Sequence, residues 1–287
     1  HTYPHSYLAP QHNLPVIGCG NNILEASKPF ICEINFENQK TTIAIIAAFE
    51  DLASYRKKYK VYAEAEKAGL MPLDLSIISD QVKQIKTLAP DSLVILFPHW
   101  GDNYQWCDQT QINLTDDLFT CGVDLIIGHG AHMIQEFEKR DHNLVLYSIG
   151  NFMFHSPGRY QKMQAPPYSA IASLSVQIVN DKIDIQLKLY PIVSDNKITN
   201  YQPQFVSKSE FNNLCERFFQ RKIMANSAHL LESKQDQFGY YFQTSVGQKH
   251  LLKQDNQQKW IGLLFHDKHE RKIQNNIETT SLYGMLV

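Results

Sequence analysis

The segment 92–154 constrains the fold of this chain most, because it holds three short apolar runs that each end in a polar or glycine-rich group. The groups that follow the runs are His99-Trp100-Gly101, Gly128-His129-Gly130-Ala131-His132 and Ser148-Ile149-Gly150-Asn151-Phe152. Short continuous apolar runs bounded in this way are typical of strands that are buried on both faces of an α/β sheet. Ligands of open α/β sheets collect at the carboxyl ends of the strands. The sequence therefore predicts a functional site where these three strands end.

The elements around these runs alternate between strand and helix. Apolar residues at helical spacing predict a helix over 75–88, which Pro90 ends, and another over 113–121, which Gly122 caps. The predicted strands are 92–98, 123–127 and 143–147, and a further pair of strands is predicted upstream over 29–36 and 41–49. Alternation of helix and strand predicts right-handed crossovers and a sheet that is largely parallel in this region.

The pattern changes after Pro167. Residues 169–179 and 182–192 alternate apolar with polar side chains, which predicts a hairpin with one face in water. A helix is predicted over 207–222 and a strand over 259–265, within sequence that is otherwise rich in Gln, Asn and Lys. These changes predict one domain over residues 1–205 and a helical and polar carboxy-terminal extension over 206–287.

Composition excludes some classes of function. The chain has 287 residues, of which 43% are hydrophobic and 20% charged, with a net charge of −2, so it is an ordinary globular chain rather than a non-specific binder of nucleic acid. No apolar run reaches the ~18 residues of a membrane span, and no signal-peptide pattern is present, so a cytoplasmic location is the default expectation. The five cysteines are widely spaced, which favours free thiols in a reducing compartment.

The strand ends carry residues that suit a metal ion. Neutral imidazoles are good ligands for Zn, Mn and Fe, and His99, His129 and His132 lie at two neighbouring strand ends. A single histidine is more often a satisfied polar residue, but three together with nearby glycines predict a transition-metal site. Asp102 would orient a metal-binding histidine or act as an acid, and Asn151 would orient a ligand or substrate or would simply occupy a turn.

The three motifs together resemble the CapA family, the poly-γ-glutamate capsule biosynthesis proteins. That family has the patterns HWG-x-E-Y, G-(A/V)-D-hydrophobic-I-G-H-H-P-H-V-x-Q and YSLGNF. This chain has HWGDNY at 99–104, GVDLIIGHGAHMIQ at 122–135 and YSIGNF at 147–152, and VIGCGNNILEASKPF at 16–30 is similar to an upstream family segment. The resemblance covers about residues 15–205.

The CapA family is similar in fold to the calcineurin-like metallophosphoesterases. The resemblance therefore implies an α/β fold, namely a metallophosphoesterase-like layered sandwich of mixed sheets flanked by helices. The family's Gly-Asp, Asn-x-Glu and Asn-Asn-His motifs are not found ahead of Val16. We therefore expect the first strands to be missing and the strands between 92 and 147 to lack neighbours, which would expose an edge of the sheet.

The chain departs from the family pattern at the site itself. Asn103 replaces the family's Glu, and Gly130 and Ala131 replace the middle His and Pro of its GHHPH. In the related phosphoesterases the missing early motifs supply Asp and Asn ligands of a two-metal centre. His99, His129 and His132 would be the ligands that survive, so the divalent transition-metal site (Mn, Zn or Fe) is expected to be incomplete.

Two functions follow from the resemblance. The first is a metal-dependent hydrolase of phosphoester or related bonds, set in capsule or poly-γ-glutamate production, in which Asp102 and Asn151 line the pocket. The second is a catalytically inactive homologue that binds or assembles with components of a polymer-synthesis complex. Family members are often membrane-anchored and outward-facing, but this sequence shows no anchor. An unrelated three-histidine hydrolase is a weaker alternative, because it leaves YSIGNF unexplained.

Overall fold

The computed structural model describes residues 16–36, 40–179, 182–224, 232–250 and 258–262. The strands are β1 (Cys19–Gly20), β2 (Phe30–Asn35), β3 (Lys40–Phe49), β4 (Gly69–Leu70), β5 (Leu93–His99), β6 (Leu125–Ile127), β7 (Phe137–Arg140), β8 (Asn143–Leu146), β9 (Tyr168–Val179), β10 (Lys182–Val193), β11 (Gln204–Phe205), β12 (Glu232–Asp236), β13 (Gly239–His250) and β14 (Gln258–Gly262). The α-helices are α1 (Ile23–Ala26), α2 (Leu75–Leu88), α3 (Gln109–Thr120), α4 (Arg159–Met163), α5 (Asn196–Thr199) and α6 (Lys208–Phe219). A short π-helix spans Tyr55–Tyr59 and a 3₁₀-helix spans Lys222–Met224.

The first sheet is mixed and has the strand order β2-β3-β5-β6-β8-β7. Its four central strands, β3, β5, β6 and β8, run parallel, whereas β2 and β7 pair antiparallel at the two ends of this order. The central strands are buried on both faces, as their continuous apolar sequences predict. The expected α/β sheet with parallel strands is therefore confirmed, and it brings the carboxyl ends of β5, β6 and β8 to one edge.

The expectation that the strands between 92 and 147 would lack neighbours is wrong for β5. Strand β3 pairs with β5 in parallel from Ile43 to Phe49, and β2 pairs with β3 beyond it. The reason lies in the sequence of β3, whose run TIAIIAAF is apolar on both faces and therefore suits a central strand rather than one arm of an isolated hairpin.

The second sheet is antiparallel and has the order β12-β13-β10-β9-β14, with β11 paired to β10. The predicted hairpin is confirmed, since β9 and β10 pair in continuous register from Val179–Lys182 to Tyr168–Val193. Strand β14 begins one residue before the predicted strand 259–265, and residues 263–265 lie outside the described residues. Strand β10, which precedes residue 205, pairs with β13, which follows it, in this one sheet. The domain boundary between residues 205 and 206 stays a prediction.

The two sheets and the helices form layers around two groups of buried side chains. One face of the first sheet packs against one face of the second, with Ile45, Ile95, Leu174 and Leu187 among the buried side chains. The opposite face of the first sheet is covered by α2 and α3. The layered α/β sandwich flanked by helices is thus confirmed, with the refinement that its second sheet is wholly antiparallel in the described residues.

The helices begin where a side chain caps them. Helix α2 has the predicted bounds, and the Asp74 carboxylate accepts hydrogen bonds from the first free backbone N–H groups. Helix α3 begins four residues before the predicted 113, because Asp108 and Gln111 form a reciprocal capping box. Helix α6 begins after a second capping box formed by Ser207 and Glu210, and it ends before the predicted 222.

Two further expectations concern the cysteines and membrane-spanning helices. All five cysteines are free thiols and are partly buried. In the part of the chain that the structure describes, no helix combines the length and the apolar character that crossing a membrane requires.

Candidate metal centre

His99 and His129 lie side by side at the carboxyl ends of β5 and β6. The backbone holds them there, because the His129 N–H donates to Pro98 O at 3.0 Å and the Trp100 N–H donates to His129 O at 2.8 Å. The two imidazole rings have centroids 4.9 Å apart and are nearly perpendicular, at 86°. Phe49, at the end of β3, stacks on His99 with a centroid distance of 4.4 Å. The predicted pairing of these two histidines is present.

Both imidazoles are held in the neutral form. Burial lowers the pKa of His99 to about 4, and the charge that His132 carries when protonated lowers it further. Burial also lowers the pKa of His129 well below its ordinary value, helped by the charges of His99 and His132. The Nε2 atom of His129 is shielded from solvent and has no hydrogen-bond partner among the described residues. Neutral imidazoles with a free ring nitrogen are the form that binds metal ions.

His132 is the third predicted ligand and is held by different contacts. Its Nδ1 lies 2.9 Å from Oδ1 of Asn151. Its ring lies between Tyr104, which stacks at 5.3 Å, and Phe154, at 4.6 Å. Burial lowers the pKa of His132, the hydrogen bond to Asn151 opposes that change, and the charge of Arg159 adds to the lowering. His132 is close enough to His99 and His129 for its charge to affect both pKa values.

His132 and its stacking partner Tyr104 both have left-handed backbone conformations, with φ of 61° and 60°. Residues with a side chain avoid this region, and those that adopt it are concentrated at functional sites, where the surrounding structure holds them. The Tyr104 N–H donates to Ala131 O at 2.7 Å, so the two strained residues belong to loops that are tied together.

The loop that carries Tyr104 is fixed by buried polar side chains of the segment that follows His132. The Gln135 amide donates to Gln105 O at 2.9 Å, and the Glu136 carboxylate accepts from the Cys107 N–H at 3.0 Å. Glu136 is fully buried and pairs with Arg221, which lies just beyond α6. The sequence reasoning singled out Gln135 as a family match but did not predict this function in positioning the loop.

Two glycines allow the histidine loop its shape. A Cβ atom at Gly128 would lie 2.0 Å from Tyr147 O and 2.3 Å from Nε1 of Trp100, because the Trp100 indole donates to Tyr147 O directly across this position. Gly130 has φ of +113°, and a Cβ atom there would lie 3.0 Å from Nδ1 of His99. Gly130 therefore lets the backbone of the histidine loop lie close to His99 and Trp100.

Glu50 is a site residue that the sequence reasoning missed. It follows the last residue of β3, its backbone N–H donates to His99 O at 2.8 Å, and its carboxylate accepts from the Gly101 N–H at 3.2 Å. Burial raises the pKa of Glu50, and the charges of Asp108 and Asp102 raise it further, against the effect of the hydrogen bond from Gly101. The strand-end argument that singled out His99 applies equally to Glu50, once β3 is recognised as the parallel neighbour of β5.

The remaining predicted site residues, Asp102 and Asn151, make no described hydrogen bond to His99 or His129. Asp102 is exposed, and the described contacts give it no hydrogen bond to a histidine, although its charge reaches Glu50. Asn151 contacts His132 but is not described in contact with His99 or His129. Trp100 is a core residue, 1% exposed. Asp124 pairs with Lys86 and accepts from the Val94 N–H near the start of β5, which places it away from the site.

The residues fit a metal ion only in part. His99 and His129 suit one, since they are neutral, adjacent and, at Nε2 of His129, without another partner. Within the described ranges, however, no group of three or more His, Cys, Asp or Glu side chains has the spacing to hold a metal ion. The described part of the chain therefore offers a pair of imidazole ligands rather than a complete set.

Comparisons with known proteins agree with the motifs. The family model for "Bacterial capsule synthesis protein PGA_cap" matches residues 7–156, slightly more than half of the chain. The chain is 26% identical over 145 residues to the PGA biosynthesis protein CapA of Bacillus subtilis (strain 168), covering 50% of this chain and 36% of that protein. It is 28% identical over 95 residues to the capsule biosynthesis protein CapA of Bacillus anthracis, covering 32% of this chain and 23% of that protein. The matches thus span less than half the length of either relative.

Likeness to solved structures is weak. A Staphylococcus aureus protein described as a candidate 5′-nucleotidase aligns with 66% of this chain and 30% of its own, with a TM-score of 0.31 and 8% identity. A phosphatase from Mycoplasma pneumoniae aligns with 63% of this chain and 59% of its own, with a TM-score of 0.28 and 6% identity. Likenesses at this level do not bear on fold or function.

Proposed function

This chain belongs to the bacterial capsule synthesis protein family, and we propose that it acts in the synthesis of a capsule polymer as a metal-dependent hydrolase of phosphoester-type bonds. The relatives named for capsule and PGA biosynthesis support the biological setting. Their names say nothing of the reaction, so the hydrolytic activity is argued from the site.

The observation that carries the proposal is the His99–His129 pair at the ends of two parallel strands. Two neutral imidazoles in contact, one with a solvent-shielded and unpartnered Nε2, are costly to maintain unless that nitrogen binds something. A divalent transition metal such as Mn, Zn or Fe would meet this need, and His132 is a further imidazole close enough for its charge to affect both members of the pair.

A metal ion bound here would supply a Lewis acid and would lower the pKa of a coordinated water toward ~7. The chain's own residues would do the rest. His99 and His129 would offer ring nitrogens. Phe49 would keep the His99 imidazole in place by stacking on it, and Tyr104 would do the same for His132. Glu50, whose pKa is raised by burial, would hold or release a proton beside Gly101. Asp102 and Asn151 would contact substrate from the rim.

A second candidate function is favoured by the incomplete set of ligands among the described residues. In this case the chain would be a catalytically inactive homologue that binds another component of a polymer-synthesis complex. The geometry of the histidine pair argues for the first candidate. A role among the components of a polymer-synthesis complex is part of the proposal for both candidates.

Metal content of the purified chain tests the first candidate. We expect the wild-type chain, reconstituted with Mn²⁺ or Zn²⁺ and then freed of excess metal, to retain about one ion per chain. The His99→Ala/His129→Ala/His132→Ala variant should retain none, because it removes the nitrogen ligands. His142→Ala provides the matched control, since His142 is exposed at the turn between β7 and β8.

Activity then separates the two candidates. The loaded wild-type chain should hydrolyse a generic phosphodiester, and the triple variant should not. Stoichiometric metal without hydrolysis of any phosphoester would support the binding role, whereas absence of metal from the reconstituted wild type would refute the metal site.

A further inference from the structure

A short basic segment, residues 55–60, adjoins the candidate metal centre. Its sequence is YRKKYK, so four of its six side chains are cationic. No acidic residue lies between Asp51 and Glu64, on either side of it. Because the whole chain carries a net charge of −2, this concentration of positive charge is a local feature of the surface.

Aromatic contacts and one hydrogen bond attach the basic segment to the end of β3. The Tyr55 ring contacts Phe49 with a centroid distance of 5.4 Å, and Phe49 stacks on His99 at 4.4 Å. Just beyond the segment, the Tyr62 hydroxyl donates to Glu50 O. The basic segment is therefore fixed beside His99, two ring contacts away from the histidine pair.

Three lysines of the basic segment have no acidic partner. The acidic residues that flank the segment pair with other cations, since Asp51 accepts from Nε of Arg56 at 2.6 Å and Glu64 pairs with Lys67 at 2.9 Å. The remaining cations of the segment are exposed and form no ion pair among the described residues, namely Lys57, Lys58 and Lys60. Like charges this close in the chain repel one another, and a bound anion would relieve the repulsion.

The backbone of the basic segment is also unusual. Tyr55–Tyr59 form a π-helix, a rare conformation that often occurs at functional sites, and Lys60 follows it with a left-handed φ of 51°. The rings of Tyr55 and Tyr59 contact each other at 5.8 Å, and the Lys58 ammonium lies 5.1 Å from the centroid of the Tyr59 ring. One short turn thus presents the three lysines together.

We propose that the basic segment binds the backbone of a linear phosphodiester polymer, so that a neighbouring repeat of the same chain reaches the histidine pair. The choice of a phosphodiester rests on the proposed function, whereas the need for several negative charges rests on the three lysines. A polymer with one charge in each repeat engages several cations at once, and its affinity grows with their number as counterions are released. Lysine binds phosphate as a point charge without fixed geometry, which suits a flexible chain.

Binding of a fluorescent synthetic oligomer of glycerol phosphate, measured in chelator, tests this surface without any metal. We expect the full wild-type chain to bind the oligomer and inorganic phosphate to compete poorly. Lys57→Gln/Lys58→Gln/Lys60→Gln should weaken binding by about 10-fold, because exposed ion pairs are weak singly and three act together here. The slope of log affinity against log salt concentration should become shallower by up to about 2.

The matched control changes the net charge equally at three exposed lysines that are scattered over α2, α6 and the 3₁₀-helix, in the variant Lys83→Gln/Lys208→Gln/Lys222→Gln. It should bind the oligomer as the wild type does, and circular dichroism checks that both variants are folded. Equal weakening in the two variants would overturn the inference, since overall charge would then account for binding. Binding of a glutamate oligomer but not of the phosphate oligomer would refute the phosphodiester partner.

Failure of this inference is distinguishable from failure of the proposed function. If the chain binds the oligomer through the basic segment but retains no metal, the metal-dependent reaction fails and the polymer-binding surface stands. If the reconstituted chain retains metal but does not bind the oligomer, the surface is refuted and the metal centre stands.

Discussion

At the scale of single residues, Gly130 determines the shape of the histidine loop. Gly130→Ala should lower the free energy of unfolding by about 2–3 kcal/mol, because a side chain at φ +113° is strained and its Cβ would lie 2.8 Å from Trp100 O. Gly239→Ala separates the two effects, since Gly239 has φ +136° but its Cβ would meet its nearest neighbour at 3.5 Å. Urea denaturation of both variants measures the difference, and an equal or smaller loss for Gly130→Ala would contradict the role of close packing.

His99 should make the stability of the metal-free chain depend on pH. Its pKa is about 4 in the folded chain and near the ordinary 6.5 in the unfolded chain, so between these values the unfolded state binds more protons. The free energy of unfolding should therefore fall as pH is lowered from about 6.5 to about 4, by up to roughly 3 kcal/mol for this residue.

The measurement is urea denaturation from pH 7.5 to pH 4 in chelator, for the wild type and His99→Asn. The variant should lose part of the slope, because asparagine does not titrate in this range, whereas His129 and His132, whose pKa values are also lowered, still titrate. His142→Asn, which changes an exposed histidine, should keep the slope. A slope as steep in His99→Asn as in the wild type would assign the pH dependence to other groups.

The sequence predicted the pairing of His99 with His129 because strand ends follow from apolar patterns, and patterns of this kind are local. It did not predict that Glu50 lies beside them, since that depends on β3 being the parallel neighbour of β5. The left-handed backbone conformations of Tyr104 and His132 were also not predicted from the sequence. They arise from hydrogen bonds between loops that are distant in the sequence, such as that from Tyr104 N–H to Ala131 O.

At the scale of elements, α3 depends on its amino-terminal cap. Asp108→Ala should lower the free energy of unfolding by about 1 kcal/mol, because its carboxylate accepts from the Gln111 N–H at 2.8 Å. Asp117→Ala, on the exposed face of the same helix, should change it little. Chemical denaturation of the two variants is the test, and equal losses would mean that the cap contributes nothing specific.

This cap also explains why the predicted start of α3 lies four residues after the observed one. The apolar spacing that signals α3 begins near Ile112, whereas the helix begins at Gln109 through a polar Asp-x-x-Gln capping box that such spacing does not register. Helix α2 was predicted with its correct bounds, because Asp74 and Pro90 lie directly at the ends of its apolar spacing. Boundaries set by polar caps are thus recovered only when the cap adjoins the apolar pattern.

At the scale of the whole molecule, the described residues beyond 205 share a core with those before it. Phe211, Leu214 and Phe218 of α6 and Phe242 and Val246 of β13 are buried in the same group as Leu174 and Leu187 of the central hairpin. Strand β13 also pairs with β10 over most of its length. The sequence separated these parts because its polar character beyond residue 224 obscured the strands that complete the second sheet.

A chain ending at Phe205 should therefore fail to fold cooperatively. Each of the five lost side chains contributes on the order of 1.5–3 kcal/mol by burial, and their sum is comparable to the ~5–15 kcal/mol by which whole domains are stable. A chain ending at His250 keeps α6 and β13 and loses β14, so it should retain one cooperative transition. Circular dichroism during thermal and urea unfolding distinguishes them. Cooperative unfolding of the chain that ends at Phe205 would instead establish residues 1–205 as an independent domain. The histidine pair and the first sheet would then be stable without the outer strands of the second sheet.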